Sequence, residues 1–496
     1  MTGCMTQPTN TQASLQDPDR WGLPAETVDE LPGRLQQVWQ RYRSCFRTCT
    51  RDASEYAYHY LSGLLRMKES RNFVEIGRTT GQAGENIQHF MSNSPWAEQA
   101  VYKQIQEEIV ATPALQTGGA LILDESADAK AGPCSAGAAR QRNGRLGKVD
   151  LCQVGVFLTF VLGLIWTWVD SELFLPEEWF APEQEALRRK AGVPEERTFL
   201  TKIQLGWLMI QRALRYGLPF EFVACDDLYG RAKWFRSKLD QAHIIYIADV
   251  PRTTKVYLTR PTWGIPAKSK RKGPSPKRPR VLSPERAVPV WQVAEDTQTH
   301  WQTLCVRAIE RGQLIAPYAA RRIWTLRDGY PTEEWLVMRR EADGDVTYSL
   351  SNASAGTSLE RLAWMESQRY FVERSIQDSK SGLGWDEFQA YKFRAWQHQT
   401  ALTALASWFI AQTQLDWTDR FPRAPGLIEQ LRVTVLPRLS LANVCELLRA
   451  AMPLPRLSNQ EARELIVTHL LNRTRSRRSR LKKQASETRK HTTGPP

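Results

Sequence analysis

From Leu31 to Val110 the apolar residues return every three or four positions: Leu35, Val38, Trp39 and Tyr42, then Tyr58, Leu61, Leu64 and Leu65, then Val101, Ile105 and Ile109. That spacing predicts an all-helical segment of about 80 residues. The pattern changes at Gly119, where ALILDES is a short apolar run closing on acids and reads as a strand. Val154 to Val169 (VGVFLTFVLGLIWTWV) is apolar throughout but falls short of the roughly 20 residues a bilayer requires. Its Val, Phe, Thr and Trp favour extended chain, and Gly163 predicts a turn between two buried strands, 152–161 and 164–174. Gln204 to Tyr216 has the alternation of an amphipathic helix. Strand-like runs return at Phe220 (FEFVACDD) and Ile244 (IIYIADV), which makes a mixed α/β sheet.

Residues 261–290 interrupt this order, because KSKRKGPSPKRPR is Pro-rich and basic and cannot build a core. Short strands follow at Trp335 to Arg339 and Thr347 to Ser351. Helical spacing resumes from Leu359 through Lys380, from Asp386 to Gln412, from Leu441 to Met452, and near Asn459 to Leu471. A chain of 496 residues implies about three domains. With 42% hydrophobic and 24% charged residues, collagen-like, wholly disordered and membrane-embedded chains are excluded. The net charge of +14 is concentrated: residues 264–290 carry +7 and residues 473–490 carry +8, leaving the rest near neutral. Two such patches point to a polyanionic partner such as nucleic acid. The eight cysteines include no CxxC pair, and Cys45 and Cys49, four apart on an expected helix, have no His or Cys pair nearby to complete a metal site. A reduced cytoplasmic protein is expected, and the polar stretch Met1 to Ser14 shows no secretory signal.

Three acids stand in unusual places. Asp124 closes the strand ALIL and is followed by Glu125; Asp226 closes FVAC and is followed by Asp227; Glu373 lies on an expected helix 147 residues beyond Asp226. A carboxylate at the end of a buried strand is costly unless paired, hydrogen-bonded or bound to metal. Two neighbouring strand-end acids and one from a packed helix suit hard divalent cations, although turn formers and helix caps occupy similar places. Arg369, Glu373, Gln377 and Lys380 are spaced by four, four and three, so they share a helix face. A solvated charged face has this spacing too. Here it sets one acid between two bases, as a metal ligand flanked by phosphate contacts requires. Side-chain alternation turns Glu125 and Asp227 elsewhere, and they are placed outside the triad.

Arg369, Glu373 and Lys380 resemble the Y-R-E-K signature of cut-and-paste DDE transposases of bacterial insertion sequences, specifically the insertion sequence 701 family, except that Glu366 stands at the tyrosine position. The segments LILDES, KAG and SAGAARQRNGRLGKVDLCQVGVFL resemble that family around its first Asp, and CDDLYG matches its D-x-x-Y-G at Asp226, Tyr229 and Gly230. SKSGLGWDEFQAYKFRAWQHQTALTALA, with Trp396 and His398, is similar to the stretch after its Glu. The resemblance covers residues 70–412 and implies an α/β, RNase H-like mixed-sheet catalytic core. In that core Asp124, Asp226 and Glu373 are the metal-binding triad, and a β-rich insertion separates the second Asp from the Glu. Lys130, Arg140 and Gln141 also match family positions, where backbone or DNA contact is open. The expected order is a disordered N-terminus (1–20), a helical DNA-binding domain (21–112), the first part of the core (113–260), a basic linker with the insertion (261–358), the second part with the Glu helix (359–415), a C-terminal helical region (416–471) and a basic tail (472–496).

The resemblance further implies two Mg²⁺ ions, with Mn²⁺ as substitute, no nucleotide cofactor, double-stranded DNA as partner (terminal inverted repeats and target), no membrane, a homodimer in the synaptic complex, and a place at the bacterial nucleoid. Arg369 and Lys380 are expected on phosphates. Lys270, Arg271, Lys272, Arg475, Arg477, Arg478 and Arg480 are expected as non-specific DNA anchors, the tail among them solvated and disordered. Trp291, Trp301, Trp324 and Trp335 are read as core, with stacking on an extruded base as the alternative. GRLGK is too short between its glycines for a P-loop, Gly77, Gly81 and Gly84 form no GxGxxG, and Ser135 lacks triad geometry. The competing readings are a domesticated, non-catalytic DNA-binding protein and a stand-alone RNase H-like nuclease.

Overall fold

A computed structural model of the chain describes residues 14–163, 165–267, 276–309, 312–387, 390–455 and 457–492. Most of it, Met1–Met452, is one compact unit; Pro453–Pro496 forms a second. A 3-10 turn, Pro18–Trp21, precedes six helices, α1 (Ala25–Asp29), α2 (Leu31–Tyr42), α3 (Ser54–Arg66), α4 (Phe73–Thr80), α5 (Gly84–Ser92) and α6 (Glu98–Ala111). The helical spacing read from the sequence is the buried stripe: Leu31, Leu35, Val38 and Tyr42 on α2, and Tyr60, Leu61, Leu64 and Leu65 on α3. Cys45 falls in a 3-10 turn, Arg43–Phe46, with Cys49 beyond it, so the two share no helix.

The next elements are β1 (Ala120–Ala129), β2 (Ala139–Asn143), β3 (Lys148–Leu162), β4 (Ile165–Phe174), α7 (Glu185–Ala191), α8 (Lys202–Arg215), β5 (Phe222–Cys225), α9 (Asp227–Gly230), α10 (Lys233–Gln241) and β6 (Ile245–Asp249). The expected hairpin is present: Leu162 pairs with Ile165, and Gly163 takes φ +61°, which L side chains rarely adopt. Four two-residue strands follow, β7 (Lys255–Val256), β8 (Trp263–Gly264), β9 (Arg280–Val281) and β10 (Val288–Pro289), with α11 (Val290–Glu295). Four long strands come next: β11 (Gln302–Ile309), β12 (Gly312–Arg327), β13 (Tyr330–Arg340) and β14 (Val346–Ser351).

All the long strands join one ten-stranded mixed sheet in the order β11-β12-β13-β14-β6-β5-β1-β3-β2, with β4 on β3. Only β1, β5 and β6 run parallel; β3 and β14 flank them antiparallel. The β-rich stretch after residue 290 therefore continues the central sheet, Leu350 of β14 pairing with Ala248 of β6.

The helix expected over 359–380 is broken into α12 (Leu359–Ser367), α13 (Tyr370–Gln377) and a π-helical turn, Asp378–Gly382. Leu362, Met365, Phe371 and Val372 from this pair pack with Ile122, Phe222, Ile247, Tyr318 and Val337 of the sheet. The chain continues through α14 (Phe393–Arg420), α15 (Gly426–Leu431), α16 (Leu441–Ala451) and α17 (Asn459–Thr492). The basic tail, as far as Thr492, is thus part of a 34-residue helix.

Helix α14 is buried on nearly every side, as an apolar, Ala-rich helix must be. It lies between β4 and the N-terminal helices α3, α5 and α6. Two of its polar side chains meet the N-terminal helices: Tyr60 donates to Gln399 Oε1, and the His398 ring nitrogens lie 2.9 Å from Met91 O and 3.0 Å from Trp96 O, a neutral ring donating to one of the two. Burial pushes His398 down to about 3, so this ring is neutral packing. No helix among the described residues is long and apolar enough to cross a membrane.

One glycine sets how closely α9 approaches β6: a Cβ on Gly230 would stand 1.9 Å from Asp249 O, and backbone cannot yield that far. Gly230→Ala is expected to cost at least about 1–3 kcal/mol by overpacking. Thermal unfolding checks it, with Gly144→Ala, where a Cβ meets nothing within 4 Å, as the control.

Candidate active site

The acids collect where the parallel strands end. Ala120 to Leu123 of β1 pair with Phe222 to Cys225 of β5, and both Asp124 and Asp226 are the next residue. Beyond that point β1 keeps only its partner β3, Asp124 lying opposite Phe157. The chain at Asp226 turns into α9 with its Oδ1 accepting from Leu228 N at 3.0 Å. The resulting crevice at the carboxyl ends of parallel strands is where open α/β sheets bind ligands.

One carboxylate oxygen each from Asp124, Glu125 and Asp226 lie within 4.8 Å of one another. Strand alternation alone sets Glu125 apart from the other two, and the structure corrects this. Glu125 does leave β1 on the α8 face, where Leu123 packs on Gly206 and Lys202 Nζ meets Glu125 Oε1 at 2.9 Å. It still reaches the group, because Asp226 lies past the end of β5, where no strand separates the two faces. Asp227 does stay outside, paired with Arg231 at 2.7 Å on the surface.

Glu373 approaches from α13, which packs on β1, but is absent from the acid group. Its side chain is 57% exposed and Oε1 lies 3.2 Å from an Arg369 terminal nitrogen. Arg369 Nε meets Asp249 Oδ2 at 2.8 Å, so one guanidinium joins Glu373 to the last residue of β6. Asp249 also accepts from Ser349 Oγ of β14 at 2.6 Å. Lys380 lies in the π-helical turn, which breaks the even spacing of its face; its Nζ donates to Ala127 O at 2.8 Å, three residues beyond Asp124. Glu366, at the tyrosine position, is buried, accepts from Tyr318 Oη at 2.9 Å and pairs with Arg339 at 3.2 Å.

Burial, then the neighbouring Asp226 and Glu125, push the Asp124 carboxyl well above the usual range, with Arg369 opposing. Asp226 rises to about 7 through burial, Glu125 and Asp227, again opposed by Arg369. Asp249 is raised by burial against the pull of Arg369. Burial works against the charge of Arg369 itself, but Asp249, Glu373, Asp124 and Glu366 outweigh it and keep it protonated. Such carboxyls, held above their ordinary range by burial and each other, mark a site that gains from added positive charge.

Sequence reasoning missed Asp249 and Lys202. IIYIADV ends on an acid just as ALILDES and FVACDD hold theirs, and that parallel was the available signal for Asp249. Lys202 opens a helix capped by Thr201 and Gln204, and nothing local ties it to Glu125. The other expected residues are placed as follows. Lys130 pairs with Asp128, Gln141 Nε2 donates to Cys152 O at 3.1 Å, and Arg140 is exposed. Lys270, Arg271 and Lys272 lie outside the described residues; Arg475, Arg477, Arg478 and Arg480 are exposed on α17. Trp291 packs with Val256, Val290, Leu336 and Leu350, while Trp301, Trp324 and Trp335 face Arg340, Arg260 and Arg322 at 4.3, 5.4 and 5.0 Å. Trp396 packs over Gly155, where a Cβ would stand 2.6 Å from its ring.

A family model described as DDE superfamily endonuclease matches residues 41–313, more than half of the chain. Asp124, Glu125 and Asp226 fall inside that stretch and Glu373 beyond it. The chain is also 26% identical over 223 residues to the probable transposase for insertion sequence element IS701 of Microchaete diplosiphon, a match covering 44% of this chain and 53% of that protein. It thus spans about half the length of that curated relative. The likeness to insertion-sequence DDE transposases read from the sequence is borne out by both.

A raised carboxyl stabilises the fold at low pH and loses that contribution as pH climbs through its folded value. For Asp226 the loss runs from about 4 to about 7. In chelator-treated protein, Asp226→Asn is expected to lessen the fall in melting temperature between pH 5 and pH 8, measured against wild type in one buffer series.

Proposed function

The chain belongs to the DDE superfamily endonucleases, and from that premise we propose that it is a cut-and-paste transposase of a bacterial insertion sequence. In this reading it binds the terminal inverted repeats of its element, cuts the ends and joins the 3′-hydroxyls to target DNA at the nucleoid. The observation that carries the proposal is the convergence of Asp124, Glu125 and Asp226 within 4.8 Å at the parallel strand ends. The mixed sheet with parallel β1, β5 and β6 supports an RNase H-like core in two parts, with the strands after residue 290 as its insertion. The helices of residues 25–111 are then the natural end-binding element.

Divalent metal fits these residues. The donors are all carboxylate oxygens, the set Mg²⁺ and Mn²⁺ prefer, and Glu125 Oε2 is buried with no hydrogen-bond partner among the described residues. Asp124 and Asp226 would hold two Mg²⁺ ions with Glu373. Bound there, such ions offset phosphodiester charge and lower the pKa of an attacking water or 3′-hydroxyl. The protein's own residues then have separate tasks. Arg369, charged throughout, neutralises the carboxylates and offers a planar fork to a phosphate. Lys380, held along β1 by Ala127 O, keeps a positive charge beside the same crevice. Glu373 is exposed enough to turn inward once Arg369 exchanges it for phosphate.

The test is an excision assay with a reporter bracketed by the DNA that flanks the gene. Asp124→Asn, Asp226→Asn and Glu373→Gln are each expected to reduce excision by about a hundredfold or more, since each removes a fixed charge at the reacting centre. Excision that survives one of them removes that acid from the metal-holding triad. A wild type that binds DNA and never excises returns the protein to the domesticated, non-catalytic class.

The exposed arginines of α17 make a separate forecast. With Arg475, Arg477, Arg478 and Arg480 changed to Ala, the slope of log affinity against log salt should flatten by roughly three to four. Titrations of random-sequence duplex at several salt concentrations measure it; an unchanged slope removes α17 from the DNA interface.

A further inference from the structure

Asp124 and Glu125 are consecutive on β1, yet one carboxylate oxygen of each lies within 4.8 Å of the other and of Asp226. The ligands of an octahedral Mg²⁺, about 2.1 Å from the ion, stand about 3.0 Å apart when adjacent and about 4.2 Å apart when opposite. Three oxygens already this close need only small side-chain movements to surround one ion. Glu125 is divided between two surroundings. Its Oε1 meets Lys202 Nζ at 2.9 Å, while Oε2 is buried with no hydrogen-bond partner among the described residues.

A second side chain adjoins the same place. Tyr229, the tyrosine of CDDLYG, is fully buried on α9, and its hydroxyl makes no hydrogen bond of proper geometry among the described residues. The charges that act on it most strongly are Glu125, Asp124 and Asp226, in that order, which sets the hydroxyl against the three acids. A buried hydroxyl left without a partner is costly. Carboxylates that ligate metal are in turn hydrogen-bonded by another residue, and Tyr229 is placed to do this for Glu125. Glu373 stands differently. Its side chain is 57% exposed, lies outside the acid group and rests on Arg369, which Asp249 holds from the other side at 2.8 Å. A phosphate on Arg369 is what would release it, so without DNA it stays where it is.

We propose that Asp124, Glu125 and Asp226 take up the first divalent ion before DNA arrives, with Glu125 as its third protein ligand and Glu373 unused. Lys202 remains on Oε1 and leaves Oε2 for the ion. Glu373 joins only when a DNA phosphate takes Arg369 from it. The proposal rests on the metal-dependent cutting read above for the class of ion alone; uptake without DNA is a separate property.

Titration of Mn²⁺ into the full-length protein without DNA, at mildly alkaline pH and with the free ion followed by electron paramagnetic resonance, tests this without any cutting. Wild type is expected to bind the ion. Glu125→Gln should weaken binding about tenfold or more, since losing even a hydrogen-bond partner of a metal ligand costs about 10–100-fold. Glu125→Asp should weaken it as well: it keeps the charge opposite Lys202 but is one methylene short, so a purely through-space effect would leave it like wild type. Glu373→Gln should bind within about twofold of wild type, although its excision falls. Thermal melts without metal establish that each variant is folded; should Glu125→Gln fail to fold, Glu125→Asp carries the same test. A wild type that binds no Mn²⁺ without DNA, a folded Glu125 variant that binds as wild type does, or a Glu373→Gln that loses the ion overturns the proposal. Excision is scored apart: a protein that holds Mn²⁺ through Glu125 and never excises keeps this inference and loses the transposase reading, and the reverse result does the opposite.

Discussion

Like charges at close range are the constraint around which the acid-lined end of the central sheet is arranged. Three carboxylates converge within 4.8 Å, and a fourth, Asp249, closes the neighbouring strand. Left alone they would repel one another and their burial would be costly. Arg369 answers from the start of α13 and Lys202 from the start of α8. These two cations come from two helices, so the crevice exists only when α8, α13 and the sheet are all in place. Arg369 is the more connected of them, tied to Asp249 and Glu373 and acting on Asp124 and Asp226 through space.

The strands after residue 290 belong to this arrangement as much as β1, β5 and β6 do. The last of them, β14, pairs with β6, and Ser349 on that strand hydrogen-bonds the very carboxylate that Arg369 grips. Tyr318 on β12 and Arg339 on β13 meet Glu366, four residues after Leu362 in the helix that leads to Arg369. Removing a partner from such a buried group leaves an unpaired charge, which costs more than the bond itself contributed. Changes in β12, β13 or β14 therefore reach the acids through two short chains of contacts.

Much of this is readable in the sequence because it is local. ALIL, the hairpin about Gly163, the helix after Thr201 and the acids Asp124 and Asp226 each announce themselves within a few residues. Alternation misplaces Glu125 because it describes a strand with neighbours on both sides, and here the neighbour has ended. Asp249 and Lys202 escape notice because their meaning is tertiary: each is ordinary until a partner far along the chain is folded against it. The pairing of β14 with β6 is also a long-range event that no window of sequence contains. The charge of the tail suggests a solvated, disordered chain, yet Arg, Lys, Leu and Glu are all good helix formers, and their summed preference agrees with the helix found.

The buried helix α14 has a consequence for how the protein is made. Helices α3, α5 and α6 rest on it, with Tyr60 bonded to Gln399 and the His398 ring set between the carbonyls of Met91 and Trp96. Yet α6 ends at Ala111 and α14 begins at Phe393. At about 5–20 residues per second, the ribosome delivers the second only some 15–60 s after the first. For that interval the nascent N-terminal helices display an apolar face with nothing to cover it. A chain that stalls before Phe393 cannot finish them, so a truncated product is a client for chaperones and proteases rather than a smaller working protein.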